Sequence, residues 1–152
     1  MFFYKFNSNL IHFLRYFYLI KINKFEIEIK ILENLIKKDF ICFDIGCCHG
    51  SYARLLTKYS NQVYAFEAEK ENFRYLKEVM RQKNLKIYNL AISNKNSTSI
   101  LYIPKFKDKK NSAMSSLNKG YKKNLKNSIK FISQKVKSVT LDNFVRKNNI
   151  NK

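Results

Sequence analysis

Hydrophobic and polar residues follow one another along the chain with periods that predict a repeating order of strands and helices. From residue 25 to 38 the apolar residues keep helical spacing, and residues 40–45 form a short, continuously apolar run that ends at a glycine. Such a run is typical of a strand buried on both faces of a parallel sheet. The same periods predict a helix over 51–59, a strand over 62–66, a helix over 70–83 and a strand over 86–92. This order predicts an α/β fold with right-handed crossovers.

The pattern changes after residue 93. Residues 99–103 and roughly 129–141 have the composition of two strands that can pair with each other. A stretch of about 25 residues rich in Lys, Asn and Ser separates them, which is longer than the usual loop of a compact domain.

Residues 1–24 form an aromatic and basic segment ahead of the domain, which we take as residues 25–152. Arg15 and the polar residues 7–9 interrupt its apolar stretch, so no run approaches the roughly 18 to 20 residues of a membrane span. Two interpretations stay open. One is a helix packed on the protein's own core, and the other is an amphipathic helix on an anionic membrane surface or a partner.

Composition narrows the class of protein. The chain has 152 residues, of which 45% are hydrophobic, enough for one domain with its own core. Three cysteines, two of them adjacent, do not form a conventional disulfide framework, so we expect a reducing, cytoplasmic compartment. The formal net charge of +19 rests on 25 Lys but only 5 Arg, whereas nucleic-acid readers favour Arg. We therefore expect no specific nucleic-acid partner and keep RNA binding or RNA modification as a third hypothesis.

Candidate chemistry lies where the first strand turns into a helix, over residues 44–50 (Asp-Ile-Gly-Cys-Cys-His-Gly). Gly46 permits a tight turn, and Gly50 is expected to let a ligand approach the helix start, whose N–H groups favour an anion. Glu67 ends the second strand 23 residues after Asp44. In nucleoside-binding α/β folds an acid at this place accepts hydrogen bonds from ribose hydroxyls. These residues are therefore expected to share one crevice.

The glycine spacing favours one nucleoside cofactor over another. A dinucleotide fingerprint needs three glycines as G-x-G-x-x-G, whereas this turn has only Gly46 and Gly50, with an acid two residues before the first. That arrangement suits S-adenosylmethionine, which has an amine for Asp44 to hold and no pyrophosphate to cradle. The adjacent cysteines and His49 lack the spacing of metal ligands, so we expect no metal.

Five short runs also occur in a fixed order: Phe43–Gly46, Tyr64–Glu67, Glu71–Phe73, Asn89–Ser93 and Val139–Asp142. Together they resemble the FkbM-type methyltransferases, over roughly residues 30–145. The resemblance implies a class I methyltransferase (Rossmann-like) sheet with helices on both faces, S-adenosylmethionine as the donor, and O-methylation of a hydroxyl on a sugar, glycan or other small acceptor. By the family pattern, the donor-site residues are Asp44, Gly46, Cys48, Gly50, Glu67, Asn89 and Ala91. The catalytic residue and the oligomeric state stay unassigned.

Two departures from the family pattern lead to a competing hypothesis. The family usually has Ala-Asn where this chain has Cys47-Cys48. The family pattern also continues after the Thr-Leu-Asp element at residues 140–142 into a strand with an acid-x-acid-Gly motif and three more strands, which this sequence does not contain. Class I sheets place that strand beside the first one, so we expect residues 40–45 to lie at an unpaired apolar edge.

The expectation that follows is a partial domain: the N-terminal part of a longer enzyme, a broken reading frame, or a chain that needs a partner. The alternative function is then a truncated, non-catalytic fragment that binds only the donor or a partner.

Overall fold

The computed structural model describes residues 31–151 except residues 33, 108 and 121–128. The segment 1–24 and the first part of the predicted helix 25–38 lie outside the described residues, whereas residues 31–32 and 34–35 are helical. In the part of the chain that is described, every helix is too short or too polar to cross a membrane.

Strands and helices alternate in the first half of the described chain, as predicted. In chain order the elements are β1 (Ile41–Ile45), α1 (Ser51–Tyr59), β2 (Gln62–Phe66), α2 (Lys70–Val79), β3 (Leu85–Tyr88), β4 (Ala91–Ile92), β5 (Ser97–Phe106), β6 (Lys109–Lys110), β7 (Lys130–Val139) and α3 (Leu141–Lys147). The α/β prediction is confirmed, and α1 and β2 have the predicted bounds.

The first sheet is parallel and has the order β1-β2-β3. Its register pairs Asp44 with Ala65 and Ala65 with Ile87. Strand β1 lies at the edge, as expected, and within the described residues it pairs only with β2. It is therefore half-buried, and Ile45 is 53% exposed, so the prediction that this strand is buried on both faces is wrong.

Helices cover both faces of this sheet because side chains alternate along β2. Val63 and Ala65 pack against Leu56 of α1 and Leu76 of α2. Tyr64 and Phe66 point the other way and pack against Phe144 of α3, together with Tyr88 of β3. The Phe144 ring meets the Phe66 ring edge-on at a centroid distance of 4.7 Å. This geometry stabilises the pair beyond the effect of burying the two rings.

The second sheet has the order β4-β7-β5-β6. Strands β5 and β7 run antiparallel from Ser97 opposite Ser138 to Lys105 opposite Lys130, which confirms the predicted pairing. Strand β4 runs parallel to β7. The core of this sheet consists of Ala91, Leu101, Ile103 and Val136.

Three predicted bounds are wrong for reasons that involve distant contacts. The strand predicted over 86–92 splits at Asn89, because its side chain bonds to the end of β2 and the chain then joins the second sheet. The helix predicted over 70–83 ends at Val79, because Met80 is extended and buried against Gly50. The strand predicted over 129–141 ends at Val139, because Thr140 caps α3: its Oγ1 accepts from the N–H of Asn143 at 3.1 Å.

Candidate functional site

Polar residues meet at the carboxyl edge of the first sheet, and this region is called the crevice below. Asp44 lies in β1 one residue before its end, Glu67 directly follows β2, and Asn89 directly follows β3. Parallel strands bring these three positions to one edge. The turn between β1 and α1 is fastened to the end of β2, because the N–H groups of Gly46 and Cys47 both donate to the carbonyl of Phe66, at 2.9 and 3.0 Å.

Glu67 is held at the centre of the crevice by two backbone donors. Its Oε2 accepts from the N–H of Cys48 at 2.8 Å, and its Oε1 accepts from the N–H of Glu69 at 2.7 Å. Burial raises the pKa of the Glu67 carboxyl, and the two N–H groups act against that rise. Because a carboxylate oxygen has two acceptor positions, each oxygen can still accept a ligand hydroxyl.

Asp44 is the second carboxylate of the crevice. Burial raises its pKa to about 6, the backbone N–H of Ala53 acts to lower it, and the charge of Glu67 raises it further. Its Oδ2 is buried and has no hydrogen-bond partner in the described protein. A buried carboxylate with one unpaired oxygen is costly to the fold and suited to a ligand that brings a cation or donor.

The adjacent cysteines lie in different environments. Cys47 is 7% exposed, and burial raises the pKa of its thiol far above the ordinary range, with the charge of Asp44 adding to the effect. Cys48 is half-buried and has a left-handed backbone, with a φ of 46°. Its Sγ lies 3.0 Å from Nδ1 of His49 and 3.8 Å from Nδ2 of Asn72. In the described ranges, no group of three or more His, Cys, Asp or Glu is placed to hold a metal ion.

The two glycines of the turn serve different purposes. Both have a positive φ, 78° for Gly46 and 76° for Gly50. A Cβ on Gly46 would meet no atom within 4 Å, so the space beside it is open, whereas a Cβ on Gly50 would lie 2.5 Å from Sδ of Met80 and 2.8 Å from Cδ2 of Leu76. The N–H of Gly50 also donates to the carbonyl of Cys47 at 2.6 Å. Met80 and Leu76 therefore fill the space where a Gly50 side chain would lie, and the approach of a ligand to the helix start stays a prediction.

The last two predicted site residues, Asn89 and Ala91, lie in different parts of the fold. Nδ2 of Asn89 donates to the carbonyls of Glu67 at 2.7 Å and of Ala68 at 3.1 Å, so Asn89 fixes the end of β2. Ala91 is 6% exposed and packs in the core of the second sheet with Leu101 and Ile103. The structure thus brings Asp44, Gly46, Cys48, Glu67 and Asn89 to the crevice, whereas the Ala91 side chain lies in that core, and its donor-site role stays a prediction.

Sequence reasoning missed three residues that support the crevice, namely Glu69, Lys110 and Gln134. Nζ of Lys110 lies 2.7 Å from Oε1 of Glu69, and Nε2 of Gln134 donates to the carbonyl of Ala68 at 3.1 Å. Lys110 is 41 residues from its partner, and Gln134 is 66 residues from Ala68. With 25 Lys in the chain, no local signal marks Lys110.

The parallel strands, the fastened turn and the two carboxylates define an α/β protein with a polar crevice at the carboxyl edge of its sheet, where open α/β sheets bind ligands. A family model described as the methyltransferase FkbM domain matches residues 44–152, a range that contains every candidate site residue. The chain therefore belongs to the FkbM methyltransferase family, and it is a methyltransferase by that membership. No curated protein matches the chain.

Proposed function

We propose that this chain is an S-adenosylmethionine-dependent O-methyltransferase domain that acts on a hydroxyl of a sugar, glycan or other small acceptor. The observation that carries the proposal is a pair of carboxylates: half-buried Asp44, whose buried Oδ2 is unpaired, and buried Glu67, whose two oxygens are oriented by backbone N–H groups. Family membership supports methyl transfer. The parallel order β1-β2-β3 with helices on both faces supports a class I, Rossmann-like sheet.

The residues of the crevice fit the proposed donor. Asp44 would hold its ammonium group, since a charge-assisted hydrogen bond satisfies the unpaired Oδ2. Glu67 would accept hydrogen bonds from the ribose hydroxyls, and Gly46 leaves open space beside the turn. When bound, S-adenosylmethionine supplies an electrophilic methyl group on its sulfonium.

The described residues support catalysis by binding and orientation. Cys48 and Asn89 fix Glu67 from two sides, one through its carboxylate and the other through its backbone carbonyl. A donor held in one orientation beside the acceptor hydroxyl lowers the entropic part of the barrier. The acceptor class rests on the family resemblance. The three cysteines are free thiols, which supports a reducing, cytoplasmic location.

The experiment is a calorimetric titration of the chain with S-adenosylmethionine and S-adenosylhomocysteine, using wild type, Glu67→Gln and Glu78→Gln. Glu78 lies on the exposed side of α2, so its variant removes the same charge away from the crevice. We expect saturable binding by wild type and Glu78→Gln, and binding at least about tenfold weaker in Glu67→Gln, because hydrogen bonds to a charged group are lost.

Two outcomes would contradict the proposal. Equal binding by wild type and Glu67→Gln would remove the ribose role from Glu67. A folded wild-type chain that binds neither compound would favour the alternative of a non-catalytic fragment that engages only a partner.

A further inference from the structure

An ion pair joins the second sheet to the end of β2. Nζ of Lys110, on β6, lies 2.7 Å from Oε1 of Glu69 and also contacts Oε2 of Glu71. The Glu69 side chain is 2% exposed, whereas that of Glu71 is 72% exposed. A buried carboxylate depends on its cation far more than an exposed one does. The bond to Glu69 is therefore the one that anchors Lys110.

The electrostatics of the three groups agree with this geometry. Burial acts to lower the pKa of Lys110, but the hydrogen bonds to Glu69 and Glu71 outweigh it, and the net pKa is raised. The hydrogen bond from Lys110 lowers the pKa of Glu71. Lys110 is therefore held in its charged form in the folded chain.

Glu69 connects Lys110 to Glu67, the residue proposed to bind the ribose. The side chain of Glu69 bonds to Lys110, and its backbone N–H donates to Oε1 of Glu67 at 2.7 Å. Glu69 therefore contacts Lys110 through its side chain and Glu67 through its backbone. The other Glu67 oxygen is held from the opposite side by the N–H of Cys48 at 2.8 Å.

Two other side chains hold the segment between β2 and α2, and they bond to its backbone carbonyls. Asn89 bonds to the carbonyls of Glu67 and Ala68, and Gln134 bonds to that of Ala68. Because the Ala68 carbonyl and the Glu69 N–H belong to one planar peptide group, these bonds also help to set the direction of that N–H. Lys110 adds a constraint from the other direction, because it holds the side chain of the residue whose N–H donates to the Glu67 carboxylate.

From this arrangement we infer that Lys110 is a positioning residue for recognition of the donor's ribose: through Glu69 it orients the Glu67 carboxylate toward the ribose hydroxyls. The inference rests on the proposed function, because Glu67 has a ribose to recognise only if the donor is a nucleoside.

A double-mutant cycle with S-adenosylhomocysteine tests whether Lys110 acts through Glu67. Calorimetric Kd values are measured for wild type, Lys110→Met, Glu67→Gln and the double variant. We expect Lys110→Met to weaken binding about tenfold in wild type and less than about twofold in the Glu67→Gln background, because residues that act as one unit are not additive. Lys110→Arg should keep most of the wild-type affinity, because it retains the positive charge. Lys109→Met, the same change at the exposed neighbouring residue of β6, is the control.

A paired variant keeps the test valid if Lys110→Met destabilises the fold. Lys110→Met combined with Glu69→Gln removes both charges of the buried pair but leaves the Glu69 N–H in the chain. It should bind as weakly as Lys110→Met while its Tm stays close to that of wild type. Binding restored by Glu69→Gln would show that the loss came from an uncompensated charge, and it would overturn the inference.

A second measurement needs no ligand. The pKa of Glu67, followed by carbon-13 NMR of its carboxyl group together with those of Asp44 and Glu69, should rise in Lys110→Met, because the Glu69 N–H that lowers it is displaced. It should not change in Lys109→Met. An unchanged pKa in Lys110→Met, or an equal loss of binding in both Glu67 backgrounds, overturns the inference. Failure of wild type to bind S-adenosylhomocysteine, with the NMR result as expected, would instead contradict the proposed function.

Discussion

Replacement of Asp44 by Asn changes the charge of the crevice and almost none of its shape. Burial raises the pKa of Asp44 from its ordinary 3.8 to about 6. The backbone N–H of Ala53, which acts to lower that pKa, can still donate to the amide oxygen of Asn. Asp44→Asn therefore removes the ionisable group and preserves this contact.

The pKa shift gives both the sign and the size of the effect. Below about pH 4 the carboxyl is protonated in the folded and the unfolded chain and contributes nothing. Between about pH 4 and 6 the folded chain holds the proton more tightly, so the free energy of unfolding falls as the pH rises. A pKa shift of about two units corresponds to about 3 kcal/mol in the free energy of unfolding, and wild type has lost this amount in full above about pH 6. Asp44→Asn avoids this loss.

The assay is urea unfolding of wild type and Asp44→Asn at a series of pH values from 4 to 7.5, followed by circular dichroism. The free energy of unfolding of the variant, relative to wild type, should rise by about 3 kcal/mol over this range. Asp142→Asn removes a carboxyl from the exposed first turn of α3 and provides the background profile. If the profiles of wild type and Asp44→Asn run parallel, the burial argument is refuted.

Donor binding should respond to the same substitution in the opposite direction. In the proposed function an ionised Asp44 would stabilise the ammonium group of S-adenosylmethionine, so Asp44→Asn should weaken binding at pH 7.5 by at least about tenfold. Wild-type binding should in turn strengthen as the pH rises through about 6. A variant with a more stable fold and weaker binding excludes general misfolding as the cause.

Two further predictions concern the turn between β1 and α1. Gly50→Ala should lower the free energy of unfolding by about 3 kcal/mol, because its Cβ would collide with Met80 and Leu76 in addition to the cost of its φ of 76°. Gly46→Ala carries only the backbone cost, about 1 kcal/mol, since nothing lies within 4 Å of its Cβ, and equal losses in urea unfolding would contradict this difference. Cys48→Asn should raise the free energy of unfolding by about 0.5 kcal/mol, because Asn tolerates the left-handed conformation at a φ of 46° better than Cys does. A lower midpoint of urea unfolding for Cys48→Asn would show that contacts of the thiol outweigh the strain.

The strands and helices that local pattern alone determines were predicted correctly. Strand β2 and helix α1 have the predicted bounds because glycines and polar residues delimit continuous apolar or helical periods there. Helix α3 was missed, since the apolar alternation of β7 continues through Thr140 into Leu141 and conceals the cap. Its position depends on the contact of Phe144 with the rings of β2 and β3, which no local period reveals.

Within the candidate site, residue types were predictable but their partners were not. Asp44, Gly46 and Glu67 follow from the strand–turn–helix pattern, because parallel strands must bring their carboxyl ends to one edge. The purpose of Gly50 was not predictable, since it depends on Met80 leaving the helical path 30 residues later. Lys110 was not predictable either, because only its contact with the buried Glu69 distinguishes it from the other lysines of a basic chain.

Two departures from local rules lie together at the crevice, and they support its role as the functional site. Among the described residues, three other than glycine have a positive φ: Cys48, Lys107 and Asn149. Lys107 lies in the turn between β5 and β6, and Asn149 follows the end of α3, where that conformation is common. Cys48 precedes a helix, and in this conformation its N–H donates to the Glu67 carboxylate. A buried acid with an unpaired oxygen and a strained turn at the same edge are costs that a ligand-binding role explains and a purely structural turn does not.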